Sequence, residues 1–311
     1  MNAVPFQVER FAELTQWLES VDTGHDMPLH LYAFVDGALN EDMLRLVSER
    51  AAAWQCLYPE TMLEAASPAI GPYLVEIQLD DQAQAALARA LLRQSEHADL
   101  VLWVASRMSL SALSGHFYAF AEVGLPDGRQ ALLRYYDPLI FEALLDAFTP
   151  EQRDLFTAPY RALRYWRGGW KEVEGLNQGD GDLEAASELK LTAEQQQRLA
   201  RATLAETVYH EIKGELLPPM SEVDDRTAIS YTRELIERAA DRYQIGNRDE
   251  LILFALTALN VNRTFDWHPE IGMKLDPHAR DGKSLREVLA EISPRVWEDA
   301  GAGSHVSMTV M

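Results

Sequence analysis

The chain has 311 residues, with 49 acidic and 28 basic side chains, a net charge of −21, 47% apolar and 25% charged residues, and a single cysteine. This composition is that of a globular chain and excludes the disordered and fibrous classes, and the length allows one large domain or two modest ones with a sizeable core. Cys56 alone can form neither an intrachain disulfide nor a cysteine zinc cage, and an anion of this size is repelled by nucleic-acid phosphates and anionic headgroups.

No apolar run reaches the ~18 residues that cross a bilayer, and the first nine residues lack a basic stretch followed by an apolar one. A cytoplasmic protein with no nucleic-acid or membrane partner is expected. Residues 1–150 carry 21 acidic groups and eight Arg with no Lys, net −13, against 28 acidic and 20 basic groups, net −8, in residues 151–311.

In chain order, residues 30–35, 73–79, 100–105, 116–123 and 131–136 are short runs rich in Val, Leu, Phe and Tyr, bounded by turn residues, and are read as five strands. The last two flank Gly124-Leu125-Pro126-Asp127-Gly128, a turn sequence that favours an antiparallel hairpin. Asn40 suits the cap of a helix carrying Met43, Val47 and Trp54. Asp81 with Gln84 opens a helix through Arg93, and Thr149, Pro150 and Gln152 stand in the cap, first-turn and N3 places of another. Residues 1–172 are therefore expected to form a mixed α/β lobe of about five strands including an antiparallel hairpin.

Residues 173–190 crowd Gly and Asp, with no basic residue from Glu172 to Glu188, and read as a linker or long surface loop. Beyond them the apolar period becomes helical. Thr192 and Gln195 begin a helix with Ala205, Val208, Tyr209, Ile212 and Leu216 on one face, stopped by Pro218 and Pro219. Ile229, Thr232, Ile236, Ala239, Ala240 and Tyr243 follow the same rule. Asn247 with Glu250, and Ser284 with Glu287, cap two more helices. A helical bundle lobe over 191–300 and a tail over 301–311 complete an α+β chain.

Few residues suggest chemistry. Glu206 and His210 are neighbours on one helix, but a zinc-protease helix needs a second His where this chain has Gly214. Asp266, His268 and His278 match no ligand spacing. Ser109, Ser111 and Ser114 lie near His116 without a nucleophile elbow, and Cys56, among Trp54, Leu57 and Tyr58, reads as a small buried hydrophobe. No phosphate loop or dinucleotide fingerprint occurs, so neither cofactor nor metal is expected, and a binding protein is favoured over an enzyme.

The informative stretch is residues 127–145. Period-two alternation sets Leu133 and Tyr135 on one strand face and Arg134 and Tyr136 on the other. Asp137-Pro138 then turns the chain into an apolar helix, with Asp137 suited to its cap. Arg beside Tyr is a pair enriched at interface centres, so Arg134, Tyr136 and Asp137 are the candidate partner-binding residues.

Read together, Tyr32-Ala33-Phe34-Val35-Asp36-Gly37-Ala38, Tyr58-Pro59, Gly71-Pro72-Tyr73-Leu74, Asp127-Gly128 and Arg134-Tyr135-Tyr136-Asp137-Pro138 resemble the ordered motifs of the type VI secretion effector-adaptor family, the Tap or TEC group. That group's defining region was catalogued as a domain of unknown function. The resemblance covers about residues 30–165. One departure is that many relatives carry His-Leu-Arg where this chain has His116-Phe117-Tyr118, so a contact attributed to that Arg does not transfer. The resemblance implies a non-enzymatic cytosolic chaperone that binds a cognate toxic effector, often through its N-terminal region, and loads it onto the VgrG spike. Two other readings are an acidic immunity or inhibitor protein that binds a basic toxin, and a metal-dependent hydrolase using His210 or residues 266–278.

Overall fold

Alternation along the central strands sets the architecture of the first half of the chain. In β1 (His30–Asp36), Tyr32 and Phe34 enter one buried cluster while Leu31, Ala33 and Val35 enter another. The computed structural model describes residues 6–22, 27–37, 43–59, 62–66, 71–94, 101–167, 169–178 and 189–302. Following α1 (Phe6–Val21) and β1 come α2 (Met43–Arg50), β2 (Trp54–Cys56), β3 (Pro72–Ile77), α3 (Gln82–Gln94) and β4 (Val101–Ser106). Next are α4 (Leu110–Tyr118), β5 (Glu122–Gly124), β6 (Gln130–Leu132), α5 (Pro138–Ala147), α6 (Pro150–Thr157), β7 (Ala162–Trp166) and β8 (Trp170–Glu174). The order β2-β3-β1-β4-β7-β8 forms a six-stranded sheet, antiparallel throughout, and β5 pairs β6 in a separate hairpin.

Both faces of this sheet are covered. Leu102 and Val104 of β4 join Tyr32 and Phe34 in a core completed by Phe117, Tyr135, Phe141 and Phe156, whereas Val101, Trp103 and Ala105 face Leu14 and Trp17 of α1 and Leu87 and Leu91 of α3. Two-sided burial explains why β1 and β4 read as continuous apolar runs although their neighbours are antiparallel.

Several expected elements differ. Residues 116–118 end α4, whose cap Ser109 accepts the Ala112 N–H at 3.3 Å, and of the expected strand 116–123 only Glu122 and Val123 are extended, in a β5 that runs to Gly124. Phe117 and Phe120 have high strand propensity, but here they fill the core from a helix and the turn after it, a case of tertiary packing overriding local preference. The strand expected over 131–136 ends at Leu132. Trp54 stands in β2 rather than on a helix, and Asn40 lies outside the described residues. Helix α1 and strands β2, β7 and β8 are additional to the elements expected. The hairpin forms as expected: Gly128 N–H donates to the Leu125 carbonyl at 3.0 Å, and Gly128 takes φ +83°, a conformation glycine adopts without strain.

The chain divides into two compact units, Met1–Ala202 and Thr203–Met311, with the division inside α7 (Ala193–Ile212). The described ends of the stretch 173–190 belong to the first unit. Val173 and Glu174 finish β8, and the N–H groups of residues 175–178 donate to carbonyls of residues 157–161. A Cβ at Gly175 would collide with the carbonyl oxygens of Tyr160 and Thr157, so only glycine permits this approach. Leu189 and Leu191 are buried, and Gly124 exchanges hydrogen bonds with both. Residues 179–188 lie outside the described residues, as do 303–311 of the expected tail.

The second unit is helical, with α8 (Asp225–Tyr243), α9 (Arg248–Asn260), α10 (Pro269–Leu275), α11 (Pro277–Arg280), α12 (Leu285–Ala290) and α13 (Pro294–Ala302) following the end of α7. Val208, Tyr209 and Ile212 pack in one core with Leu235, Ala239, Phe254, Ala258 and Phe265. Ala240, expected on the buried face of α8, is exposed, and Leu235 lines the core there. The caps read from the sequence are present: Asn247 accepts from Asp249 and Glu250, and Ser284 with Glu287 forms a reciprocal capping box.

Candidate partner-binding site

At the C-terminal end of β1 the chain places Asp36, whose backbone partner across the ladder is Pro72 of β3. The segment after β6 brings Arg134 to the same point. Its Nη2 lies 2.9 Å from Asp36 Oδ2 and 3.1 Å from Asp137 Oδ2. Asp36 is 2% exposed, Asp137 is buried, and the Arg134 side chain keeps 44% of its surface exposed. Burial works against the Arg134 charge, but the Asp137 and Asp36 carboxylates outweigh it and hold the guanidinium well above its ordinary pKa. One guanidinium thus stands against two carboxylates, and it is fixed in place.

Beside this trio, the Tyr136 hydroxyl meets that of Tyr58 at 3.0 Å. Burial pushes both phenols up, so both stay neutral. Gln55 Nε2 donates to the Tyr118 hydroxyl at 2.5 Å, and that hydroxyl donates to the Cys56 carbonyl at 3.1 Å. Beneath lies an aromatic cluster in which Phe117 contacts Phe34 edge-on at 4.8 Å and stacks with Tyr135 at 5.4 Å. The residues from 133 to 137 form a turn, so period-two alternation does not apply to them. Tyr135 and Tyr136 are both buried, and of the three candidate residues only Arg134 reaches the surface substantially. Tyr136 supports the site from within. Asp137 does two things: its carboxylate pairs with Arg134, and its carbonyl accepts the N–H of Phe141 in the first turn of α5.

The structure does not bring the other candidates together. Among the described residues no three His, Cys, Asp or Glu side chains are grouped to hold a metal. His210 and Glu206 are 3.6 Å apart, with His210 exposed. Asp266 is fully buried and accepts the Tyr243 hydroxyl at 3.1 Å, while Asp276 accepts the backbone N–H of His278 at 2.9 Å. Ser109 caps a helix, and Ser114 and His116 are buried. Burial pushes the His116 imidazole down to about 4, against a hydrogen bond with the Phe156 backbone that acts the other way. Burial also pushes the Cys56 thiol up, away from the thiolate. Among the described residues no helix is long and apolar enough to cross a membrane.

Asp36 was missed as a site residue. Its only signal was its place in the Tyr32–Ala38 motif, since 98 residues separate it from Arg134.

These features define an α+β chain: a six-stranded antiparallel sheet covered by helices, followed by a helical unit. Residues 31–155, from β1 into α6, match the family model described as a domain of unknown function, DUF4123. No curated protein and no solved structure matches the chain.

Proposed function

We propose that the protein is a non-enzymatic adaptor chaperone of a type VI secretion system, which binds a cognate toxic effector in the cytoplasm and loads it onto the VgrG spike. The observation that carries this reading is the DUF4123 match over residues 31–155, combined with the convergence of the adaptor-like motifs in space. Asp36 from the first motif, Tyr58 from the second, and Arg134, Tyr136 and Asp137 from the last form one connected cluster at the end of β1. Arg134 offers a held guanidinium at the surface of that cluster, chemistry suited to a partner's carboxylate or backbone carbonyl. The net charge of −21 favours encounter with basic partner surfaces.

The test is deletion of the gene in its host, with effector release and effector toxicity followed separately. An adaptor is needed for release and leaves the toxin active when the two are co-expressed. Unchanged release would overturn the proposal. Loss of toxicity on co-expression would identify an inhibitor instead, and a stoichiometric metal retained through purification would favour a hydrolase.

A further inference from the structure

The six-stranded sheet ends in β2 on one side and β8 on the other, and the two edges differ. In β2 the Leu57 N–H donates to the Pro72 carbonyl at 2.8 Å, which fixes the phase of the ladder, so Trp54 and Cys56 turn their backbone groups outward. There the Cys56 carbonyl is taken by the Tyr118 hydroxyl of α4. In β8 the phase is fixed at both ends: the Arg167 N–H donates to the Gly169 carbonyl at 2.9 Å, and the Gly175 N–H to the Arg161 carbonyl at 3.1 Å. Lys171 and Val173 therefore bond to β7, and the N–H and C=O groups of Trp170, Glu172 and Glu174 point away from it. Among the described residues none of these outward groups has a partner.

The open edge is held extended before any partner arrives, which lowers the ordering cost of binding. Trp170 meets Trp166 edge-on at 5.7 Å, its indole N–H donates to Glu13 of α1 at 2.6 Å, and the Arg164 guanidinium lies 4.5 Å over its ring, while Val173 packs on the core of the other sheet face. A row of alternating donors and acceptors is completed by another strand. Charge decides which strand. When two copies pair antiparallel, a two-fold axis at residue 171, 172 or 173 sets Lys171 against its copy, Glu172 against its copy, or Glu172 against Glu174, and like charges directly opposite are destabilising. The chain's own residues 179–188 carry four carboxylates and no cation, so the same repulsion disfavours them here. On the α1 face of the edge, the charges acting on Arg164 are Glu172, Glu13 and Arg10, and Arg10 is paired with Glu13. Glu174, opposite Ala162 on that face, has no ion pair among the described residues, and Lys171 projects from the other face. Two guanidiniums against three carboxylates leave this face one negative charge.

We infer that β8 is an acceptor edge for an extended, basic segment of a protein partner, which adds to the sheet as one further antiparallel strand. The segment sets basic side chains at alternate positions against Glu174 and Glu172, and an apolar one two residues further on against Trp170. Its backbone bonds supply the affinity and its side chains the register. The inference rests on the sheet edge alone and stands apart from the adaptor reading.

The probe is a fluorescein-labelled Thr-Lys-Thr-Lys-Thr-Val-Thr peptide, titrated with the full-length protein at low salt and followed by anisotropy. Its counterpart is N-methylated at both Lys and at Val, which keeps every side chain and removes the donors that face β8. The wild type is expected to bind the first peptide and to ignore the second. Glu172→Pro removes an outward donor, leaves the bonds to β7 in place, and should weaken binding about tenfold. Glu174→Lys should weaken it about threefold, the range of a cross-strand charge pair, with melting unchanged. Glu298→Lys, at an exposed site on α13, should leave binding as it was. Absence of wild-type binding, equal binding of the N-methylated peptide, or an equal loss in Glu298→Lys would each overturn the inference. So would a dimer in sedimentation that Glu172→Pro dissociates, which would assign the edge to a second copy. Binding that arises only on deletion of residues 179–188 would assign it to the chain's own segment. If Glu172→Pro unfolds the protein, the N-methylated peptide and Glu174→Lys decide the matter.

Discussion

Arg134 and Arg263 are both surface arginines beside tyrosines, but their surroundings differ. Arg134 reaches two carboxylates that are otherwise almost sealed from water, so its charge balances the buried Asp36 and Asp137 inside the first unit. Arg263 rests on an aromatic face, with no described carboxylate in reach. The first arginine holds the fold and presents only part of itself to a partner. The second stacks on the Tyr231 ring at the surface and adds little to folding. An arginine next to a tyrosine therefore says little until the location of the carboxylates is known.

The largest effect that would break this contrast is at Arg134. Arg134→Glu puts a third carboxylate against two buried ones and is expected to cost about 3 kcal/mol in urea denaturation, toward the low end for a broken buried pair because the guanidinium is partly solvated. Arg134→Gln, which removes charge without reversing it, should cost less. A stability change below about 0.5 kcal/mol in Arg134→Glu, the range of ordinary surface substitutions, would make the two arginines equivalent.

A comparable effect is expected from His116 through pH. Its folded pKa of about 4 lies below the ordinary value of 6.5. Between those values the unfolded chain takes up a proton and the native state does not, so stability is lost as pH falls from 6.5 to 4 and levels off below that. The full loss is about 3 kcal/mol. His116→Gln should flatten this part of the profile relative to wild type, and parallel profiles would show that the imidazole is not held neutral.

Smaller effects are expected at the helix caps, which both units use in the same way. Thr149→Ala in the first unit and Ser284→Ala in the second each remove the acceptor of a reciprocal capping box and should cost about 1 kcal/mol. The smallest belongs to Arg263. Arg263→Ala should change stability by less than about 0.5 kcal/mol, and thermal melting can sharpen the comparison with Arg134→Gln directly.

Much of this was legible in the residues. Caps depend on local spacing, and Asp81 with Gln84, Thr149 with Gln152, Thr192 with Gln195 and Asn247 with Glu250 all make the bonds their spacing implies. The strands at β1, β3 and β4 were visible as apolar runs. The helical nature of residues 116–118 was not, because aromatic content outweighed the cap at Ser109. Helix α1 carried a usable signal in Leu14, Trp17 and Val21, whose spacings of three and four residues define one face, and all three are buried. At the site, Arg134, Tyr136 and Asp137 were singled out as partner-binding residues, and their faces were assigned from an alternation that ends with β6. The bond to Asp36 and the Tyr58–Tyr136 contact depend on pairings across 98 and 78 residues, which local patterns do not record. The Arg263–Tyr231 stack was likewise beyond sequence spacing.

Co-expression of the protein with its effector and the VgrG spike, followed by size-exclusion chromatography with light scattering, tests the adaptor reading most directly. The expected result is co-elution of effector and protein as one complex that also retains the spike, with effector retention reduced when the protein is omitted. Separate elution of folded effector, spike and protein would contradict it.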